Sequence, residues 1–220
     1  MMPGPLIRRA LGPAEHWVTG LYRRCFVDVR QFAADLASDL SPASILDVGC
    51  GEGQSTEALA EVFSKASIVG VDITPRVGRL FRGDNQRVRF IREDIGAFAD
   101  QNKGTFDLAV LCDVLHHLPV DQRAGFLQNV ASCMRPRGWL VVKEWQPRAS
   151  LVHLLCYLGD RYLTGDRVRY ADGVELRELL NGVPSLSVDH DTPVRPWRNN
   201  IAIWARFVHD RDEAEVRSIR

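Results

Sequence analysis

The sequence carries no excess of either charge: 28 Lys and Arg balance 28 Asp and Glu. Without a net positive field, neither nucleic acid nor an anionic membrane is an expected partner. No apolar run approaches the roughly 18 residues of a spanning helix, so no membrane span is expected. The first thirteen positions are interrupted by Pro3, Pro5, Gly12 and Pro13 and carry Arg8 and Arg9, unlike a secretory leader. Cysteine is sparse and unpatterned. Cys25, Cys50, Cys112, Cys133 and Cys156 are an odd set without CxxC spacing, and no histidines join them at ligand spacing. That excludes a disulfide framework and a zinc site; no metal is expected, and free thiols in a reducing cytoplasm are. Repeats and low-complexity tracts are also missing.

What is present suits a globular domain. Hydrophobic residues make up 45% and charged residues 25% of 220 positions, enough to bury one core. Residues 13–40 read as helix, with Phe26, Val29, Phe32, Ala33 and Leu36 at helical spacing until Ser41-Pro42. Apolar strands then alternate with helices. Strands are predicted at 44–48, 67–72, 88–91, 106–112 and 139–142, and helices at 55–63 and 121–134. Residues 75–81 predict at best a short helix, weakened by Gly78. Asp172-Gly173-Val174-Glu175 reads as a capping box opening another helix. Residues 186–188 and 201–208 predict two last strands, paired antiparallel across a loop holding Pro193 and Pro196.

Strands separated by helices imply a parallel sheet covered on both faces. The expected fold is therefore α/β: a Rossmann-like, doubly wound sheet of seven strands, mostly parallel with an antiparallel last strand. The expected organisation is an N-terminal helical segment (1–40) over a cofactor cleft, a main unit (41–209) with a helical lid at 147–170, and a frayed charged tail (210–220).

In such sheets ligands lie beyond the carboxyl ends of the strands. The first strand runs into Gly49, Gly51 and Gly53, where backbone can approach a ligand closely. Asp72 ends the second strand about twenty residues later, where a carboxylate receives ribose hydroxyls. Asp94 follows the third. Gln54 stands where a dinucleotide fingerprint has its third glycine, and Asp47 and Glu52 place negative charge around the loop. That disfavours a pyrophosphate and suits a cationic nucleoside.

These residues resemble the class I S-adenosylmethionine-dependent methyltransferases, small-molecule type. Ile45-Leu46-Asp47-Val48-Gly49-Cys50-Gly51-Glu52-Gly53 is similar to their first motif, and Val69-Gly70-Val71-Asp72-Ile73 to their ribose-binding strand end. Residues 106–118 are similar to the fourth strand and its loop. Met134-Arg135-Pro136-Arg137-Gly138-Trp139 resembles a turn usually written L-[RK]-P-G-G, with Arg137 in place of its first glycine. The resemblance implies S-adenosyl-L-methionine as donor and S-adenosyl-L-homocysteine as product. It puts the methionine part near Asp47, Gly49, Gly51 and Gly53, and the ribose at Asp72 and Ile73. Adenine falls at Asp94 and Ile95, and the ammonium at the Cys112 carbonyl.

An oxygen, nitrogen or carbon acceptor is expected, on a small apolar or aromatic molecule. His116 and His117 follow the fourth strand, where an imidazole can act as base. Glu144 and Trp145 end the fifth strand as candidate substrate contacts, joined by Tyr157 and Tyr162 from the apolar insert, which is read as a lid. A monomer or homodimer is expected. Two other readings share the outline: a non-catalytic cofactor-binding protein of this fold, and an NAD-dependent oxidoreductase.

Overall fold

The computed structural model describes residues 28–147, 169–197 and 199–208. Helix α1 (Val29–Asp39) starts where the Asp28 carboxylate accepts the Gln31 N–H, and it ends at an extended Leu40 before Ser41-Pro42. The chain then lays down β1 (Ser44–Val48), α2 (Gln54–Val62), β2 (Ser67–Asp72), β3 (Val88–Arg92), α3 (Ile95–Gln101) and β4 (Phe106–Cys112). A 3-10 turn (Leu115–His117), α4 (Val120–Ser132) and β5 (Met134–Trp145) follow. The last elements are α5 (Gly173–Asn181), β6 (Leu186–Val194) and β7 (Asn200–Phe207). The predicted capping box at α5 forms: Asp172 accepts the Val174 and Glu175 N–H groups, and Glu175 reaches back to Asp172 N.

The seven strands lie in the order β3-β2-β1-β4-β5-β7-β6. Only β7 runs antiparallel, and it is wedged between β5 and β6. The order reverses between β1 and β4, whose carboxyl ends open the crevice in which such sheets hold ligands. Apolar side chains cover both faces. Phe32, Leu36, Leu59 and Phe63 of α1, α2 and the loop beyond pack against Ile45, Leu108 and Val141. Phe98, Leu127, Val130, Leu176 and Leu180 of α3, α4 and α5 pack against Leu46, Leu111 and Val142. At roughly 25 cal/mol per Å² each buried leucine is worth about 2 kcal/mol, so these two layers hold the strand ends in place.

Three local expectations change. Residues 75–81 make no helix: Gly78 takes φ +69, and this turn instead donates Gly78 N–H to Gly51 O and Leu80 N–H to Glu52 O. The predicted end of α4 at Met134 belongs to β5, where Met134 pairs with Phe106 across a bulge and Arg137 takes φ +63. Pro193 lies within β6, not in a loop. That strand is the sheet edge, where a missing N–H costs no ladder bond. Among the described residues no helix is long and apolar enough to cross a membrane.

Candidate functional site

The glycine loop joins β1 to α2, and its three glycines answer to three different neighbours. A Cβ on Gly49 would stand 2.6 Å from Val114 Cγ2, so Gly49 lets the loop after β4 come close. A Cβ on Gly53 would meet Phe90, Gly78 and Phe81 at 3.0–3.2 Å. A Cβ on Gly51 would meet nothing within 4 Å. Gly51 thus faces open space at the mouth of the crevice, a cradle that a side chain would fill.

Asp72 orders this loop. One carboxylate oxygen accepts the Gly51 N–H at 2.9 Å and the other accepts the Thr74 N–H at 2.7 Å. Each oxygen keeps a second lone pair for a hydroxyl donor. Beneath the loop, Asp47 is buried. Its Oδ2 accepts from Ser55 Oγ (2.7 Å) and Thr56 Oγ1 (2.6 Å), while Oδ1 is buried without a partner. Burial pushes the Asp47 carboxyl up to about 6, against those two hydroxyls, and Asp72 adds to the rise. A buried carboxylate with an orphaned oxygen is an environment that a nearby positive group improves.

Glu52 does not contribute to that field as the sequence suggests. Arg79 grips its carboxylate bidentately at 3.0 Å, and Arg76 stands 4.0 Å away. The uncompensated negative charge is that of Asp47 and Asp72. On the far wall Ile73 is 71% exposed, with Arg92 Nε donating to its carbonyl. Asp94 caps α3 by accepting the Gly96 N–H at 2.8 Å, and the Ile95 side chain is buried in the core. Cys112, half-buried, ends β4 opposite Lys143.

The turn leaving β4 carries the acid–base groups. Asp113 sits in the left-handed region (φ 59), a strained backbone for a residue with a Cβ. Lys143, fully buried, donates from Nζ to both Asp113 oxygens at 2.6 and 2.7 Å. Glu144 is 2% exposed. Its Oε1 accepts the Val114 and Leu115 N–H groups (2.9 and 2.7 Å), and its Oε2 lies 2.7 Å from His116 Nδ1. A carboxylate there makes Nδ1 the donor and leaves the basic lone pair on Nε2.

The structure separates the two histidines. His116 is buried and His117 exposed, with their rings 4.2 Å apart. Tyr170 covers the His116 ring at 5.0 Å. Its neighbour Arg169 donates its N–H to the His116 carbonyl, and Arg123 Nη2 holds the Arg169 carbonyl at 2.6 Å. The foot of the 147–170 insert is thus tied to the histidine turn. Asp113, His116 and Glu144 bring ligand-type atoms within 4.8 Å of one another. Lys143, the backbone and the His116–Glu144 contact already engage them, so this cluster does not by itself call for a metal.

Glu144, read from sequence as a substrate contact, is therefore turned inward as the anchor of the turn. Trp145 is buried (2%) at the end of β5, facing Asn200 across the ladder. Tyr157 and Tyr162 lie outside the described residues. Sequence reasoning missed Asp113, Lys143 and Tyr170. The available signal was Lys143-Glu144, two charges directly after the apolar run Trp139-Leu140-Val141-Val142 of an interior strand.

Comparison with known proteins agrees with this geometry. Residues 45–138 match the model of a methyltransferase domain. The chain is 26% identical over 164 residues to a ubiquinone biosynthesis O-methyltransferase of Paracidovorax citrulli, covering 70% of this chain and 67% of that protein. It is 24% identical over 180 residues to that of Xanthomonas oryzae pv. oryzae, covering 76% and 73%. Among solved structures, the 1,6-didemethyltoxoflavin-N1-methyltransferase of Burkholderia thailandensis has a similar fold (TM-score 0.66, 21% identity, 89% of this chain and 85% of that one). That structure holds S-adenosylhomocysteine. Human N-acetylserotonin methyltransferase, solved with S-adenosylmethionine, is similar at TM-score 0.63 and 19% identity over 82% and 51%.

Proposed function

We infer that this chain, a class I S-adenosylmethionine-dependent methyltransferase, transfers a methyl group to a hydroxyl oxygen of a small, apolar or aromatic molecule, with His116 as the base. The observation that carries the reading is the buried 2.7 Å contact between His116 Nδ1 and Glu144 at the carboxyl edge of the sheet.

Gly51 offers the open cradle, Asp72 the acceptors for ribose hydroxyls, and Asp47, with its orphaned oxygen, the negative charge beneath a cationic group. Ile73 presents an exposed apolar surface to a base, with the backbone of Asp94 and Ile95 on the same side of the crevice, and the Cys112 carbonyl at the end of β4 is the acceptor for the ammonium. When bound, S-adenosylmethionine supplies an electrophilic methyl group on a sulfonium.

With such a donor much of the acceleration is positioning and exclusion of water. A phenolic hydroxyl titrates near 10, so at neutral pH it is a poor nucleophile until its proton is removed. His116 would take that proton on Nε2, so that the acceptor oxygen's new bond to the methyl carbon replaces that carbon's bond to sulfur, whose electron pair stays on the thioether product. Glu144 stabilises the resulting imidazolium through Nδ1–H, and the Tyr170 and His117 rings keep the imidazole in one plane. An oxygen acceptor is supported by the O-methyltransferase names of the sequence relatives. Among the described residues, the thiols of Cys50 and Cys133 support a reducing, cytoplasmic setting.

The direct test is methyl transfer from labelled S-adenosylmethionine to a panel of phenols, catechols and ring-nitrogen compounds. Methylation of hydroxyl acceptors that depends on His116 is expected. Turnover confined to acceptors that carry no dissociable proton would sink the base.

A further inference from the structure

The mechanism leaves one buried charge pair unused. Lys143 is fully buried, yet it lies one residue from Glu144 and its ammonium is seated on both oxygens of Asp113. Asp113 also donates its backbone N–H to the Lys143 carbonyl, so main chain and side chain hold the same residue. The Asp113 carboxylate lies within 4.8 Å of the ring nitrogen and carboxylate of His116 and Glu144. Lacking Lys143, two carboxylates would act on His116 from opposite faces of the sheet.

We propose that Lys143 tunes His116: by cancelling the Asp113 charge it leaves Glu144 as the uncompensated carboxylate, among the described residues, acting on the imidazole, so that His116 is ready to accept a proton at neutral pH. Other charged and aromatic groups among the described residues also pack on the turn. His117 belongs to the turn itself, and Tyr170 lies against the ring from the segment after the insert. Arg169 of that segment is paired with Glu175 of α5 at 3.6 Å. Arg123 of α4 is held by the Leu118 and Arg169 carbonyls and interacts electrostatically with Glu144. The Asp113 side chain is 29% exposed, so water reaches its carboxylate when its partner is removed.

Lys143 is thus a positioning and tuning residue. It acts through Asp113 on His116. A unit charge about 5 Å away, across a medium of effective dielectric about 20, moves a proton affinity by a unit or more.

The test is an NMR titration of the His116 ring in the full chain, assigned by its loss in His116→Gln, with S-adenosylhomocysteine affinity as a check on the donor side. Lys143→Met should raise the His116 midpoint by about one unit. Lys143→Met combined with Asp113→Asn should return it close to the wild-type value, because that pair is neutral again; asparagine also tolerates the left-handed backbone. If Lys143→Met does not fold, Lys143→Gln, whose amide still donates to Asp113, should give the same upward shift. A midpoint unchanged in the folded single variant, or one that stays raised in the double variant, overturns the proposal. The proposal rests on His116 as base, but this readout needs no turnover: a shifted midpoint alongside unimpaired catalysis by His116→Gln removes the base and leaves the tuning standing.

Discussion

Lys143 and Glu144 are neighbours on β5, and they grip one turn from opposite faces of the sheet. Strand alternation sends Lys143 to the α1–α2 side, where it holds Asp113, and Glu144 to the α3–α5 side, where it holds Val114, Leu115 and His116. Two side chains thereby fix four consecutive residues of the β4 exit.

Removing the base or its orienting partner should separate chemistry from donor binding. His116→Gln is expected to lower kcat by about 100-fold to 10,000-fold for a hydroxyl acceptor. Glu144→Gln should lower it less and move the acid limb of the kcat/KM profile downward, since the carboxylate favours the imidazolium. S-adenosylhomocysteine affinity, read by calorimetry, should stay within about threefold for His116→Gln, because the donor's residues lie at the ends of β1 to β4 and not on the histidine turn.

Gly49 and Gly51 should fail in different ways. Gly49→Ala meets Val114 at 2.6 Å with φ at +70 and should cost about 2–3 kcal/mol of unfolding free energy, partly restored by Val114→Ala. Gly51→Ala has no neighbour to strike. It should cost only about 1 kcal/mol from its left-handed backbone, yet weaken S-adenosylhomocysteine tenfold or more. Denaturant curves and calorimetry on the same samples decide this.

Asp47 gives stability a pH dependence of defined sign. Its folded-state carboxyl is raised to about 6, whereas an unfolded aspartate titrates near 3.9. The folded state therefore binds the proton more tightly. The contribution is greatest below about pH 4, falls as pH rises to about 6, and is flat above. Asp47→Asn keeps an acceptor for Ser55 and Thr56 but removes the titration. Its stability relative to wild type should climb by about 2–3 kcal/mol between pH 4 and pH 7 in urea melts. A constant difference across that range would contradict the buried, ionising carboxylate.

Asp72 should be needed twice. Asp72→Ala is expected to weaken S-adenosylhomocysteine by about 1–3 kcal/mol through the lost ribose acceptor. It should also lower the melting temperature, because the Gly51 and Thr74 N–H groups lose their partner. Unchanged affinity would remove the ribose assignment.

The donor side was the more legible half of this chain. Gly49, Gly51 and Asp72 lie at strand ends defined by local apolar runs, so spacing alone put them together. The acid–base half depends on pairings distant in sequence. Nothing near Asp113 announces that its backbone turns left-handed or that its carboxylate is held by a lysine 30 positions later. Glu144 looked like a substrate contact because a carboxylate at a strand end usually faces solvent. Here its backbone partners draw it inward. Glu52 misled for the same reason: Arg79, 27 positions on, quenches it. The helix expected at 75–81 gave way to a turn whose N–H groups serve the glycine loop.

The wedging of β7 between β5 and β6 has a consequence for the order of assembly. From Trp139 to Trp145, every residue of β5 is paired on its outer side with residues 200–206. A nascent chain that stops short of Asn200 leaves that side of β5 open to water, beside the strand that carries Lys143 and Glu144. The ribosome must therefore deliver more than fifty further residues after the base's anchor before the anchor is enclosed. The β1–β4 half can close early during synthesis, while the turn anchored by Glu144 waits for β7.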